Sequence, residues 1–185
     1  GKHYKGSIVR KGENISGVKA FVSKQVKTLT VEKWKPSHKK ISDAIMKQSK
    51  KHGFDPMFLM AVIQNESQFD PEIRGSFGEI GLMQIKPSTA EWISKKMKIQ
   101  YKNGDDLFNP VKNIEIGAAY LSYLRERFDS HSRLYLSAYN MGVTNVNRAL
   151  GKQVWPKDYA SKVMNYYIQY YTEISNPSTR IVSQN

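Results

Sequence analysis

The chain has 185 residues, enough for one ordinary domain with its own core. It has no cysteine, which excludes a disulfide framework and thiolate metal sites, and its four histidines (His3, His38, His52, His131) show no ligand spacing. A net charge of +13 and a sequence pI of about 9.8 favour a polyanionic partner. Nucleic acid, an anionic membrane surface and an acidic polymer such as a cell wall all remain open on charge alone.

Taken in chain order, residues 1–15 are basic, glycine-containing and aperiodic, and read as an arm. The opening GKHYKGSIVRKGEN lacks the apolar centre of a signal peptide and reads either as an engineered start or as a mature form from which such a segment has been removed. No uninterrupted apolar run reaches the length of a membrane span. Weak mixed periodicity in ISGVKAFVSKQVKTLTVEKW suggests one short helix. From Pro36 the signals sharpen. SHKKISDAIMKQSKKHG predicts a helix with Ser37 as N-cap, a stripe at Ile41, Ile45 and Met46, and Gly53 as stop. DPMFLMAVIQNESQ predicts a second, capped by Asp55 with Pro56 in its first turn.

Further helices are predicted over KPSTAEWISKKM, with Ser88 before the first turn, and over NPVKNIEIGAAYLSYLRERF. The latter is apolar at Val111, Ile114, Ala118, Leu121 and Leu124, a helical period. RLYLSAYN, VTNVNRALG and KDYASKVMNYYIQYYTEI complete the set, before a polar tail. Strand-like alternation is nearly absent. The fold class is therefore all-α, with room for a short hairpin in the glycine-rich stretch from Arg74 to Met83.

Three stretches hold residues of unusual chemistry. In DPMFLMAVIQNESQ, Leu59, Val62 or Ile63, and Glu66 share one helix face, so the period points a carboxylate inward. An ionised acid there is costly, and the nearby helix C-terminus disfavours negative charge. Both effects raise its pKa, as a general acid requires. A structural buried acid fits the same pattern. In GSFGEIGLMQIKP, three glycines in seven residues force a tight path, and Gln84 is a polar residue inside an apolar run. A glycine turn with a surface glutamine is the plain alternative. In LSAYNMG, Tyr139 and Asn140 end a short apolar helix; Tyr139 suits either the core or a polar site.

Together, "ES" after an apolar helix, GLMQIKPSTA, NPVKNIEIGAAYLSYL and SAYNMG resemble the catalytic domain of soluble lytic transglycosylases, the peptidoglycan-cleaving enzymes with a goose-lysozyme-like fold. The resemblance runs from about Pro36 to about Tyr171. It implies a basic extension over 1–35, a lysozyme-like catalytic domain over 36–175 and a tail over 176–185. It further implies that Glu66 is the single acid/base, that Ser67 helps fix the site, that Met83 and Gln84 line the glycan groove, that Tyr139 sits beside the carboxylate, and that Asn140 supports the groove. Asn113 matches a structural position, and Tyr159 matches the family's tyrosine near the last helix.

Two departures stand out. Glu79 replaces the small residue of the family's Gly-Ala-x-Gly-Leu-Met-Gln, and VWPKDYASKV differs from the family's segment before its last helix, where any acidic role falls to Asp158. Glu79 has three readings: activation of water, as a hydrolytic goose-type-like lysozyme would need; binding of a cation such as the amine of deacetylated glucosamine; or plain solvation. The resemblance implies cleavage between N-acetylmuramic acid and N-acetylglucosamine with formation of 1,6-anhydromuramyl ends. It implies no metal and no organic cofactor, a monomer acting on peptidoglycan glycan strands, no transmembrane segment, and a periplasmic or secreted location. A nucleic-acid-binding module is the rival that the charge suits, but no helix-turn-helix spacing, zinc-ligand set or RNA-recognition motif is present. A non-catalytic wall-binding module has no need of an inward acid.

Overall fold

The structure, a computed structural model, describes residues 15–176. Eight α-helices run through this segment: α1 (Ile15–Leu29), α2 (His38–His52), α3 (Pro56–Ser67), α4 (Pro87–Met97), α5 (Pro110–Arg127), α6 (Ser132–Met141), α7 (Val143–Gly151) and α8 (Asp158–Ser175). Short 3-10 turns occupy Glu32–Ser37 and Gly104–Phe108. Among the described residues no helix is long and apolar enough to cross a membrane.

The centre is α3. Its side chains from Pro56 to Ile63 are buried on every side, which its near-continuous apolar sequence requires. Asp55 opens the helix by accepting the Met57 N–H at 2.9 Å, and Pro56 occupies the first turn, where no amide donor is needed. At the far end Gln68 adopts a left-handed conformation (φ 51°) and closes the helix on the Gln64 carbonyl. α8 lies along α3, α5 packs on α2 and α6, and α1 packs on α2. Arg125 of α5 ties these layers: it donates to the His52 and Gly53 carbonyls at the end of α2 and stacks 4.2 Å over Phe54.

Three local expectations need correction. A boundary near residue 36 would leave α1 outside the domain, yet Val18, Val22 and Val26 are buried in the shared core. Spaced every four residues, they form a stripe one side chain wide. Ser37 precedes α2 but makes no side-chain cap, because it closes the 3-10 turn that runs straight into the helix. Ser88 lies inside α4, which begins at Pro87.

The glycine-rich stretch forms no hairpin. It makes two isolated antiparallel bridges, Arg74 with Ile80 and Ile80 with Ile85. Asn113, fully buried on α5, anchors this loop. Its Oδ1 accepts the Met83 N–H at 2.8 Å, and its Nδ2 donates to the Ile80 carbonyl at 2.8 Å and the Leu107 carbonyl at 2.9 Å. One amide thus binds backbone groups at three points and pins the loop to the helix. Gly81 (φ 77°) makes this approach feasible: a Cβ there would lie 2.5 Å from both Asn113 Nδ2 and the Leu107 oxygen.

Candidate active site

The last turn of α3 emerges from the core at a cavity of about 360 Å³. Glu66 on α3, Glu79 and Gln84 on the pinned loop, and Tyr139 and Asn140 at the end of α6 all line it. Burial raises the Glu66 pKa from 4.5 to about 7. A hydrogen bond from the Tyr159 hydroxyl opposes the shift, and the neighbouring Glu79 carboxylate adds to it. Tyr159 sits in the first turn of α8, so the packing of α8 along α3 delivers this hydroxyl to the Glu66 Oε1. Burial and the Glu66 charge hold the Tyr159 phenol well above its usual pKa, so it stays a donor.

The loop carries its own order. The Phe77 N–H donates to Glu79 Oε2 at 3.0 Å, and the Gly75 N–H donates to the Glu79 carbonyl at 2.8 Å. Gln84 (φ 49°) donates from its amide to the Ile73 carbonyl at 3.2 Å and the Gly81 carbonyl at 3.0 Å. Glu79 and Gln84 converge over Gly75, where a Cβ would lie 2.2 Å from Glu79 Oε2 and 2.8 Å from Gln84 Oε1. A glycine at 75 is therefore what lets both polar side chains close over the loop.

Not every predicted site residue lies where expected. Tyr139 does line the cavity, and the Glu66 charge helps to raise its pKa, but its hydroxyl donates to the Met83 carbonyl at 2.7 Å. The phenol bonded to the acid is that of Tyr159. Met83 is fully buried and does not line the groove: its backbone is bound at both ends, by Asn113 and Tyr139, which turns its side chain into the core. Ser67 is buried, and its hydroxyl donates back along α3 to the Ile63 carbonyl at 3.1 Å, away from the cavity. Asp158 is absent from the lining.

Sequence reasoning missed Phe77, Lys86, Thr89 and Tyr120, which also line the cavity. Phe77 is 80% exposed with the Lys86 ammonium 5.6 Å from its ring centre, and Tyr120 stacks at a tilt on Tyr139, 5.6 Å between centroids. An aromatic inside a glycine turn was the available sign for Phe77. Nothing local marks Tyr120, which stands beside Leu121 of the α5 period without belonging to it.

Chemically, the cavity offers one protonated carboxyl near neutral pH, a phenol donor fixed on it, and a wall of amides and aromatic faces. Among the described residues no group of acids and histidines is arranged to hold a metal ion. Such a wall suits a sugar, whose faces are apolar and whose edges are polar.

Comparison with known proteins gives a consistent result. Residues 43–162 match the family model for the transglycosylase SLT domain. The soluble lytic murein transglycosylase of Escherichia coli is 36% identical over 95 residues, 51% of this chain but 15% of that protein. A membrane-bound lytic murein transglycosylase C from Edwardsiella ictaluri is 31% identical over 142 residues, covering 72% of this chain and 39% of the relative. Among solved structures, an inactive glutamate-to-glutamine mutant of lytic transglycosylase Slt from Pseudomonas aeruginosa superposes with a TM-score of 0.66 at 30% identity, over 73% of this chain and 24% of that one. The 70 kDa soluble lytic transglycosylase of Escherichia coli does so with a TM-score of 0.66 at 27% identity, over 74% and 25%. The chain thus spans only a small part of the curated soluble enzymes it matches. With the family model covering most of its length and the all-α fold shared with these structures, the chain belongs to the transglycosylase SLT domain family.

Proposed function

We propose that this chain cleaves peptidoglycan as a lytic murein transglycosylase, with Glu66 as its single acid/base. The observation that carries the proposal is the state of Glu66: protonated up to about pH 7, lining a cavity, with one phenol bound to it. Glu66 gives its proton to the glycosidic oxygen between N-acetylmuramic acid and N-acetylglucosamine, and that bond breaks. The acetamido oxygen of the muramyl sugar closes on C1, so no protein nucleophile is needed. The Glu66 carboxylate, steadied by the Tyr159 hydroxyl, then removes the proton from the sugar's C6 hydroxyl. That oxygen displaces the acetamido group from C1, leaving a 1,6-anhydro end and a reprotonated Glu66. No water is consumed. Gln84 and Asn140 bind the strand, and Glu79 acts on Glu66 through its charge.

The relatives named as lytic murein transglycosylases support this reading, as does the inactive glutamate-to-glutamine form of the Pseudomonas aeruginosa structure. The substrate places the activity outside the cytoplasmic membrane, in the periplasm or beyond. The positive charge draws the protein to an anionic wall in preference to nucleic acid, for which no recognition element is present. Mass spectrometry of muropeptides released from sacculi tests the proposal. Anhydro ends are expected; reducing ends, heavier by one water, would replace it with hydrolysis.

A further inference from the structure

The positive charge is not spread evenly along the chain. From Ile15 to His52, which takes in α1, the first 3-10 turn and α2, there are ten lysines, no arginine and two acids, Glu32 and Asp43. From Gly53 to Asn185, which takes in every residue of the Glu66 cavity, fifteen basic residues meet thirteen acidic ones. Most of the excess therefore sits on the first two helices, and neither contributes a residue to the cavity wall.

The lysines of the turn are committed, Lys33 to Glu72 at 2.6 Å and Lys35 to Glu32 at 2.9 Å. Those of the helices are not. On α2, Lys39, Lys40, Lys47, Lys50 and Lys51 are all exposed, and their helical spacing sets them along one face, away from buried Ile41 and Ile45. α1, packed on α2, exposes Lys19, Lys24 and Lys27 and carries no acid. Among the described residues none of these ammonium groups takes part in an ion pair, and Asp43 within the α2 face pairs with none of them.

Helix stability does not account for the pattern. Lys50 and Lys51 suit the C-terminal end of the α2 dipole, but Lys39 and Lys40 stand in its first turn, where the dipole disfavours cations. Lys47 and Lys51, one turn apart, repel each other. Cations held at a cost to their own helix point to an anion outside the molecule. Lysines without arginine supply point charges and no guanidinium fork, so the face is not built to read nucleic acid. Spread over two adjoining helices, each about 22 Å long, the charges form a field rather than a track for a single strand. None of the large apolar side chains exposed on the described surface belongs to α1 or α2, so this face suits resting on a charged surface and not insertion into it.

We infer that the α1–α2 face docks the protein on an anionic phospholipid surface through its lysines. Docked there, the protein keeps the Glu66 cavity open, because neither helix walls it. The docking is electrostatic and reversible, and it concentrates the protein in a layer beside the membrane.

Sedimentation with vesicles tests this on the intact chain. Vesicles of equimolar phosphatidylcholine and phosphatidylglycerol should bind the protein at low salt and release it at high salt, whereas phosphatidylcholine alone should not bind it. Lys39→Gln, Lys47→Gln and Lys50→Gln together should weaken the binding roughly a hundredfold. Lys102→Gln, Lys152→Gln and Lys162→Gln reach the same net charge from outside the face and should weaken it by roughly tenfold or less. All six positions are exposed and glutamine is a good helix former, so both triple variants should fold. Equal losses in the two triple variants would make the charge a diffuse property of the surface and overturn the docking face. Failure of the parent to bind the anionic vesicles would overturn it too, as would binding that survives high salt. Binding of duplex DNA or of a phosphate-bearing wall polymer in place of the vesicles would give the face another partner and overturn the lipid assignment. Vesicle binding does not depend on muropeptide release, so the cleavage reading stands or falls separately.

Discussion

The two ends of α3 carry one carboxylate each, and each accepts a hydroxyl from a tyrosine of α8: Asp55 from Tyr167 at 3.1 Å, Glu66 from Tyr159. The outcomes differ because the surroundings differ. Asp55 stands at the helix N-terminus, where free amides and the dipole favour negative charge, and it also accepts the Met57 N–H. It is 3% exposed and adjoins no cavity described here. Glu66 stands in the last turn, where the dipole opposes its charge, and it faces the groove. One tyrosine bond therefore completes a structural cap at one end and leaves a proton donor near neutrality at the other. Burial alone does not hold a carboxyl protonated near neutrality; burial without enough compensating donors does, and beside open space it gives the proton donor that the proposed reaction needs.

The largest expected effect breaks the contrast at its active end. Glu66→Gln should fold and lose roughly two to four orders of magnitude in muropeptide release, the contribution of a positioned proton donor. Asp55→Ala should do the opposite. It removes a helix cap and the carboxylate to which the Tyr167 hydroxyl donates, so it should cost roughly 1–3 kcal/mol of stability in a denaturant titration. Its folded molecules should keep their turnover.

A third expectation concerns pH. Below about 4.5 the Glu66 carboxyl is neutral both folded and unfolded; between about 4.5 and about 7 only the folded protein keeps the proton. Stability from this group is thus complete below 4.5 and is lost as pH rises through 7. Glu66→Gln has no such loss, so above pH 7 it should be the more stable form, by up to roughly 3 kcal/mol. Thermal melts of both proteins across that window check the sign.

Two smaller effects should oppose each other. The Tyr159 hydroxyl lowers the Glu66 pKa, so Tyr159→Phe should extend the protonated form to higher pH while slowing turnover, because the carboxylate formed in the reaction loses its donor. Glu79 raises the Glu66 pKa, and its influence ranks below that of Tyr159. Glu79→Gln should therefore move the alkaline limb of the rate profile to lower pH, and by the lesser amount.

The same contrast explains what was legible in the sequence. Asp55, Pro56 and the inward direction of Glu66 follow from local rules of capping and period, and so they were readable. The partner of Glu66 was not. Tyr159 lies 93 residues further on, and no local pattern separates it from Tyr139 as the phenol that reaches the acid. Met83 and Gln84 are neighbours in one apolar run, yet one turns into the core and the other into the cavity. That choice is made by Asn113, from a helix 30 residues away. The packing of α1 was nearly hidden because, among its described side chains, only three valines are fully buried. Long-range hydrogen bonds, more than periodicity, decide which of the motif residues touch the site.

Titration of the Glu66 side-chain carboxyl by carbon-detected NMR, assigned by its absence in Glu66→Gln, tests the central claim most directly. A midpoint near 7 is the result expected. A midpoint at the ordinary glutamate value near 4.5 would mean that Glu66 is ionised at neutral pH and holds no proton to give.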